Sequence, residues 1–246
     1  MRAEANQSPI VITGGAQRLG LAAAEALRAQ GHFVVITYRR ERPLLERLRS
    51  SGIETIRADF DEKDGPEKLS RELRRLYPSL RALIHNASQW LPETGDEDAS
   101  QLLESMLRVH LRAPYLLNLE CGDLLRRHGE QHGFADIIHM SDYVASTGSS
   151  EHIAYAASKA ALDNLTLSFA SKFAPTVKVN SIAPALLMFN SDDDDAYRQR
   201  AAKKSLLGIV PGAAEGVGAI QYLLQSRYLT GKTIALDGGR HLARAG

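Results

Sequence analysis

The sequence predicts an α/β fold in which a doubly wound parallel sheet is flanked by helices. Short apolar runs recur along its 246 residues, stretches with apolar residues three and four apart separate them, and a glycine-rich turn joins the first run to the first helix. A chain of this length suits one extended sheet, for which about 250 residues is ordinary. No repeat, low-complexity linker or compositional break divides it, so residues 1–246 are expected to form a single domain.

The strands are expected at residues 10–13, 33–38, 53–58, 80–85, 136–141, 177–182 and 233–236. Each reads as a parallel strand buried on both faces, because the apolar residues run on instead of alternating with polar ones. Helices are expected at residues 19–29, 44–49, 69–77, 102–126, 155–173 and 213–225, where apolar side chains fall on one face. The longest irregular piece, residues 184–195, follows the sixth strand and precedes a helical segment containing Tyr197 and Arg198. Loops at the carboxyl ends of parallel strands bind ligands, which makes this one a candidate substrate lid.

Composition narrows the partners. Thirty basic against 29 acidic residues leave a net charge of +1, which asks for neither nucleic acid nor an anionic membrane, and a small molecule is the expected partner. Cys121 is the single cysteine, so no intramolecular disulfide forms, and its apolar helical setting reads as a buried thiol. Residues 1–8 are polar without a signal-peptide core, and no segment approaches the roughly 18 apolar residues of a membrane span. A cytoplasmic location is expected. The run Asp192, Asp193, Asp194, Asp195 reads as a solvated loop tip. His85, His110 and His139 lack a ligand spacing, so packing histidines are expected and no metal.

The turn Thr13-Gly14-Gly15-Ala16-Gln17-Arg18-Leu19-Gly20 points to a dinucleotide. Gly14 allows a tight turn and Gly20 a close helix, so that backbone amides and the helix N-terminus face a pyrophosphate. Arg18 stands where a third glycine is usual in such turns, and reads as substrate chemistry. After the second strand, Tyr38-Arg39-Arg40 offers no carboxylate for an NAD ribose. Two guanidiniums suit the 2′-phosphate of NADP, with Arg39 the preferred contact, unless they only solvate the strand end. Asp59, with Phe60 beside it, is placed to accept from an adenine amino group or to cap the third strand. Asn86-Ala87-Ser88 closes the fourth, where backbone and cofactor approach or where Asn86 simply turns the chain. Tyr155 and Lys159 stand four apart, hence on one helix face. An ammonium there favours the phenolate and lowers the tyrosine pKa.

These motifs, together with Asn180-Ser181-Ile182-Ala183-Pro184 and Leu236-Asp237-Gly238-Gly239, resemble the short-chain dehydrogenase/reductase family over essentially the whole chain. The resemblance implies a Rossmann-like fold, a nicotinamide cofactor, Tyr155/Lys159 chemistry and a homo-oligomer, with a tetramer favoured over a dimer. The helices at 102–126 and 155–173 are its candidate interface. Thirteen residues before the tyrosine the family usually carries a serine, and here Asp142 stands beside Ser141. A carboxylate is a poor partner for a carbonyl oxygen but suits a heterocycle rich in N–H donors.

Arg18, Asp142, Tyr155, Lys159 and the stretch Asn86-Ala87-Ser88-Gln89-Trp90 resemble the pteridine reductase branch, in which an aromatic residue two places after the serine stacks on the pterin. Trp90 matches that residue. The implied cofactor contacts are Gly14, Arg18, Leu19, Tyr38, Arg39 and Arg40, then Asp59, Phe60, Asn86 and Ala87, and finally Tyr155, Lys159 and Pro184. The implied substrate contacts are Arg18, Ser88, Trp90, Asp142 and Tyr155, of which Asp142 and Tyr155 act with Lys159 in catalysis. The implied reaction is NADPH-dependent reduction of 7,8-dihydromonapterin, a dihydropterin, to the tetrahydro form, with weak dihydrofolate reduction beside it. Two rivals stand: a ketoacyl or sugar carbonyl reductase working through Ser141, and a non-catalytic NADP-sensing protein. His110 replaces the family's asparagine that supports the lysine, and Ala185 replaces its usual glycine after Pro184.

Overall fold

The structure, a computed structural model, describes residues 8–93 and 98–243. The expectation for residues 1–7 lies outside the described residues. From the amino end run β1 (Ile10–Ile12), α1 (Arg18–Ala29), β2 (Val34–Tyr38), α2 (Leu44–Ser50), β3 (Glu54–Arg57), α3 (Gly65–Leu76) and β4 (Ala82–His85). Next come α4 (Ala99–Leu107), a π-helical turn (Arg108–Arg112), α5 (Ala113–Glu120), α6 (Gly122–His132), β5 (Ala135–Met140) and α7 (Val144–Thr147). The rest is α8 (Ile153–Phe173), β6 (Val177–Pro184), α9 (Asp195–Ala202), α10 (Ala213–Gln225), β7 (Thr233–Leu236) and a 3-10 turn (Arg240–Leu242).

All seven strands pair in parallel in the order β3-β2-β1-β4-β5-β6-β7. The chain reverses its direction of winding between β1 and β4, and that switch point opens a crevice at the strands' carboxyl ends. Alternate strand residues serve opposite faces. Val11, Val35, Leu83, Ile137 and Val179 pack against α3, α5, α6 and α8, while Ile10, Ile12, Ile36, Ile84, Ile138 and Ile182 pack against α1, α2 and α10. Cys121 is buried in the first of these layers, and burial pushes its thiol up to about 12, leaving it an inert apolar filler.

Two expectations need correction, one for a helix and one for the edge strands. The helix expected at residues 102–126 is broken, because Pro114 has no N–H to donate back along the helix and the chain passes through the π-helical turn before α5 begins. It breaks again at Cys121, and Gly122 then opens α6 close against the Phe173 ring. β3 and β7 are not buried on both faces, since each closes an edge of the sheet and is partly exposed. The acidic run is a loop tip as expected, and Asp194 also caps α9 by accepting from Tyr197 N at 2.6 Å.

Two polar clusters are buried among the apolar layers. At the amino ends of the strands, Asp136 takes Arg81 Nη1 on Oδ2 at 2.5 Å and Lys178 Nζ near Oδ1 at 2.6 Å. The same two cations donate to the carbonyls of Leu224 and Leu223. At the other end of the sheet, His85 and His139 lie 5.2 Å apart, bridged by Asn118. Asn118 Oδ1 accepts from His85 Nε2 at 2.7 Å, Asn118 Nδ2 donates to His139 Nε2 at 3.1 Å, and His139 Nδ1 donates to Thr166 Oγ1 at 2.7 Å. Burial holds both imidazoles neutral by lowering their pKa.

Candidate active site

A cavity of about 820 Å³ occupies the switch-point crevice, within the usual range of roughly 300–1,000 Å³ for small-molecule sites. Its floor is the glycine-rich turn after β1. Gly14 takes φ +64, and a Cβ there would stand 2.9 Å from Ala87 Cα, so the turn tolerates only glycine packed against a small residue. Thr13 Oγ1 accepts from Asn86 N and Ala87 N, each at 3.0 Å, and Asn86 Nδ2 donates to the carbonyls of Thr13 and Gly14. Asn86 therefore shapes the turn while also facing the cavity. Thr37 Oγ1, which sequence reasoning passed over, accepts from Gly14 N at 3.0 Å.

Arg18 opens α1 at φ +51, the only positive φ at a non-glycine among the described residues. A left-handed conformation costs an ordinary side chain about 1–2 kcal/mol, so the guanidinium replaces the usual glycine at a penalty. It lines the cavity, yet its hydrogen bonds go to the lid: Nη1 donates to Asn190 Oδ1 at 2.5 Å and Nη2 to Met188 O at 3.1 Å. The lid is tied in turn by Asn190 N donating to Asp193 Oδ2 at 2.8 Å.

Leu19, Tyr38, Arg39 and Arg40 all face the cavity, as do Asp59, Phe60 and Pro184. Asp59 Oδ1 accepts from Asp61 N at 3.1 Å, which is the strand-end cap, and Phe60 packs into the core. Arg42 joins the guanidiniums after β2 and donates to Gln17 Oε1 at 3.0 Å. The glycine-rich turn and this cluster of guanidiniums fit the pyrophosphate and extra phosphate of a dinucleotide.

At the opposite end α8 brings Tyr155 to the cavity wall, whereas Lys159 is buried behind it and does not line the cavity, and the two do not meet at the hydroxyl. Tyr155 OH donates to Asp142 Oδ2 at 2.8 Å, and Asp142 Oδ1 accepts from Val144 N at 3.0 Å. Lys159 Nζ donates to Met140 O at 2.7 Å and lies 5.5 Å from the Tyr155 ring centroid. The expected lowering of the tyrosine pKa is thereby reversed: burial first, then the Asp142 carboxylate, push it well up, so the phenol keeps its proton at neutral pH. Burial brings Lys159 down to about 8, against the pull of Asp142 and Asp163.

Trp90 is 60% exposed and stands at the cavity mouth, not in the core. Its indole stacks on His152, with centroids 4.2 Å apart and planes 5° from parallel. No signal in the sequence marked His152, since only the fold brings it over from the start of α8. Ser141 is buried with its hydroxyl unpartnered and does not face the cavity, whereas Asp142 does. The one-residue difference that separated two readings is thus decided by which side chain leaves the end of β5 toward the crevice.

His110 joins the two halves of this end. Gln89 N donates to its Nε2 at 3.1 Å, so the proton sits on Nδ1, which donates to Ser158 Oγ at 2.8 Å. Ser158 Oγ donates to Tyr155 O at 2.7 Å, and Ser88 Oγ lies 2.9 Å from Nε2. Burial drives the imidazole to about 2, hence neutral. Its partners are these groups and not Lys159. His110→Ala is expected to cost about 1–3 kcal/mol of stability by leaving the part-buried Gln89 N–H without its acceptor and Ser158 Oγ without its donor, and His110→Asn to recover part of it. Urea unfolding midpoints check this, and an unshifted midpoint for the alanine variant would overturn it.

A family model described as enoyl-(acyl carrier protein) reductase matches residues 14–241. The chain is 50% identical over 238 residues to a dihydromonapterin reductase of Enterobacter, covering 97% of this chain and 98% of the relative. It is 49% identical over 240 residues to a protein of the same name from Klebsiella pneumoniae, covering 98% and 99%. Among solved structures, FolM alternative dihydrofolate reductase 1 of Brucella canis, complexed with NADP, superposes with a TM-score of 0.84 at 27% identity, covering 98% and 97% of the two chains. An apo SCOR enzyme from Clostridium thermocellum superposes at 0.85 with 21% identity, covering 97% and 95%, and shares the fold.

Proposed function

The chain belongs to the short-chain dehydrogenase/reductase family, and from that premise we propose that it is an NADPH-dependent dihydropterin reductase converting 7,8-dihydromonapterin to the tetrahydro form, with weak dihydrofolate reduction beside it. The observation that carries the reading is Asp142 facing the cavity, bonded to the Tyr155 hydroxyl and with the exposed Trp90 indole at the same mouth. A carboxylate accepts from the N–H edge of a pterin, and an exposed indole offers a face on which a flat ring stacks.

NADPH, when bound, supplies a hydride to C6 of the dihydropterin while N5 gains a proton. The glycine-rich turn would hold the pyrophosphate and Arg39 and Arg40 the 2′-phosphate, while Arg18, which is tied to the lid through Asn190 and Met188, would bridge phosphate and pterin edge. Asp142 would orient the pterin and Tyr155 would hold and relay a proton, while Lys159, buried behind the cavity wall, would reach a ribose hydroxyl by exchanging its bond to Met140 O. Asn86, Ala87 and Ser88 line the cavity between the phosphate end and the Asp142 end and would stand where the two ligands meet.

The reading includes a single domain over residues 1–246, supported by the one seven-stranded sheet among the described residues. It also includes a homo-oligomer, a tetramer in preference to a dimer, supported by the exposed Leu103, Tyr115 and Leu119 of α4 and α5 and Leu167 of α8. No helix among the described residues is long and apolar enough to cross a membrane. A cytoplasmic location is part of the same proposal, supported by a lone cysteine kept buried as a thiol.

NADPH oxidation followed with 7,8-dihydromonapterin, dihydrobiopterin, dihydrofolate and a simple ketone tests the reading, with NADH as the cofactor control. Dihydromonapterin with NADPH is expected to be fastest, dihydrofolate slow and the ketone inert. Faster turnover of the ketone than of any dihydropterin would establish the carbonyl-reductase rival. NADP binding without turnover of any substrate would establish the sensing rival.

A further inference from the structure

A second cationic corner lines the cavity, formed by Lys204 and Arg240. Arg240 belongs to the reaction end and not to the guanidiniums after β2: its Cζ stands 4.7 Å from the Tyr143 ring centroid, and Tyr143 adjoins Asp142. Lys204 lies on the segment after α9, which packs on the turn that carries Arg240. Leu207 N donates to Gly238 O at 3.1 Å, and a Cβ on Gly239 would stand 3.2 Å from the Leu206 side chain. Gly238 and Gly239 take φ +56 and +77, a double left-handed turn that lets the segment lie flat against it.

Nearby carboxylates are already engaged by the chain. Asp237 accepts from Gly239 N at 3.0 Å and from His241 Nδ1 at 2.6 Å, and Asp193 accepts from Asn190 N. Among the described residues neither Lys204 nor Arg240 has an ion-pair partner. Two cations without an ion-pair partner facing one concave site raise the local potential for an anion, against the Asp142, Glu151 and Asp193 carboxylates that share the wall. A substrate with an uncharged polyol side chain does not use that potential.

Resting on the dihydropterin reading, we propose that Lys204 and Arg240 form an anion-accepting corner, admitting dihydropterins whose side chain ends in a carboxylate or a phosphate ester. Both anions accept from a guanidinium and an ammonium in the same way. The corner is therefore a specificity determinant that leaves the reacting ring untouched and sorts substrates by the charge of their tails.

The test uses the full chain saturated with NADP and the Lys204→Gln/Arg240→Gln double variant. Trp90, the sole tryptophan, reports binding by fluorescence, independently of turnover. The ligands are 7,8-dihydromonapterin, its phosphate monoester and dihydrofolate. The double variant is expected to weaken the two anionic ligands by about fivefold, the scale of two partly exposed ion pairs, and dihydromonapterin hardly at all. Raising the salt should weaken the same two ligands in the wild type and not the neutral one. A response confined to the phosphate ester or to dihydrofolate identifies which anion the corner serves. Lys204→Arg/Arg240→Lys, which keeps both charges, should behave as the wild type and separates lost charge from misfolding. Equal weakening of all three ligands, or of none, overturns the corner while dihydromonapterin turnover leaves the parent reading standing. Absence of binding by all three in the wild type overturns both.

Discussion

Tyr155→Phe is expected to lower kcat for dihydropterin reduction by about 10²–10⁴-fold, the usual contribution of a positioned proton donor. The substitution removes only the hydroxyl that reaches Asp142 Oδ2. The ring stays packed with Leu102, Met106 and Ala154 and edge-on to His110 at 5.3 Å, so folding should hardly change. Steady-state NADPH oxidation with 7,8-dihydromonapterin measures this, and undiminished turnover would remove Tyr155 from the mechanism. The pH profile adds a sign. With the phenol's pKa raised, it remains protonated through neutral pH, while Lys159 sheds its proton near 8. The kcat/KM profile of the free enzyme should therefore fall above about pH 8 from the loss of the Lys159 charge, and that limb should persist in the phenylalanine variant.

Asp136→Ala is expected to destabilise the protein by about 3–5 kcal/mol, because removing one partner of a buried ion cluster leaves the other charges uncompensated. Asp136 is 0% exposed and Lys178 5%; apart from Asp136, Lys178 meets the Leu223 carbonyl and the Phe134 ring, and the partly exposed Arg81 meets the Leu224 carbonyl. At roughly 2–4 °C per kcal/mol for a chain of this size, the melting temperature should fall by about 6–20 °C. Replacing Arg81, Asp136 and Lys178 together by apolar residues of similar volume should cost less than the single change, since no stranded charge remains. The cluster sits at the amino ends of β5 and β6, away from the cavity, so the folded fraction should keep its kcat. A single variant that melts within a degree or two of the wild type would show that water reaches these cations.

The order of strands and helices was legible because the parallel strands are apolar throughout and the helices carry apolar residues at three- and four-residue spacing. The edge strands β3 and β7 were misjudged as buried, since an apolar run does not reveal which neighbour is missing. The break at residues 108–112 had a local signal in Pro114, outweighed by continuous apolar periodicity on either side. Arg42, Lys204, Arg240 and His152 went unmarked, since each is an ordinary polar residue until packing places it on the cavity wall.

By itself the sequence determined the sheet, the turn that faces phosphates, and the residue types at the reaction end, because all of these depend on local spacing and backbone freedom. Tertiary structure alone decided the electrostatics: that Asp142 and not Ser141 enters the crevice, that Tyr155 bonds to a carboxylate while Lys159 bonds to a carbonyl, and that Arg18 is tied to the lid. The physical reason is that a titratable group's behaviour is set by burial and by charges a few ångströms away. Those neighbours come from strands and loops that the chain separates by tens of residues.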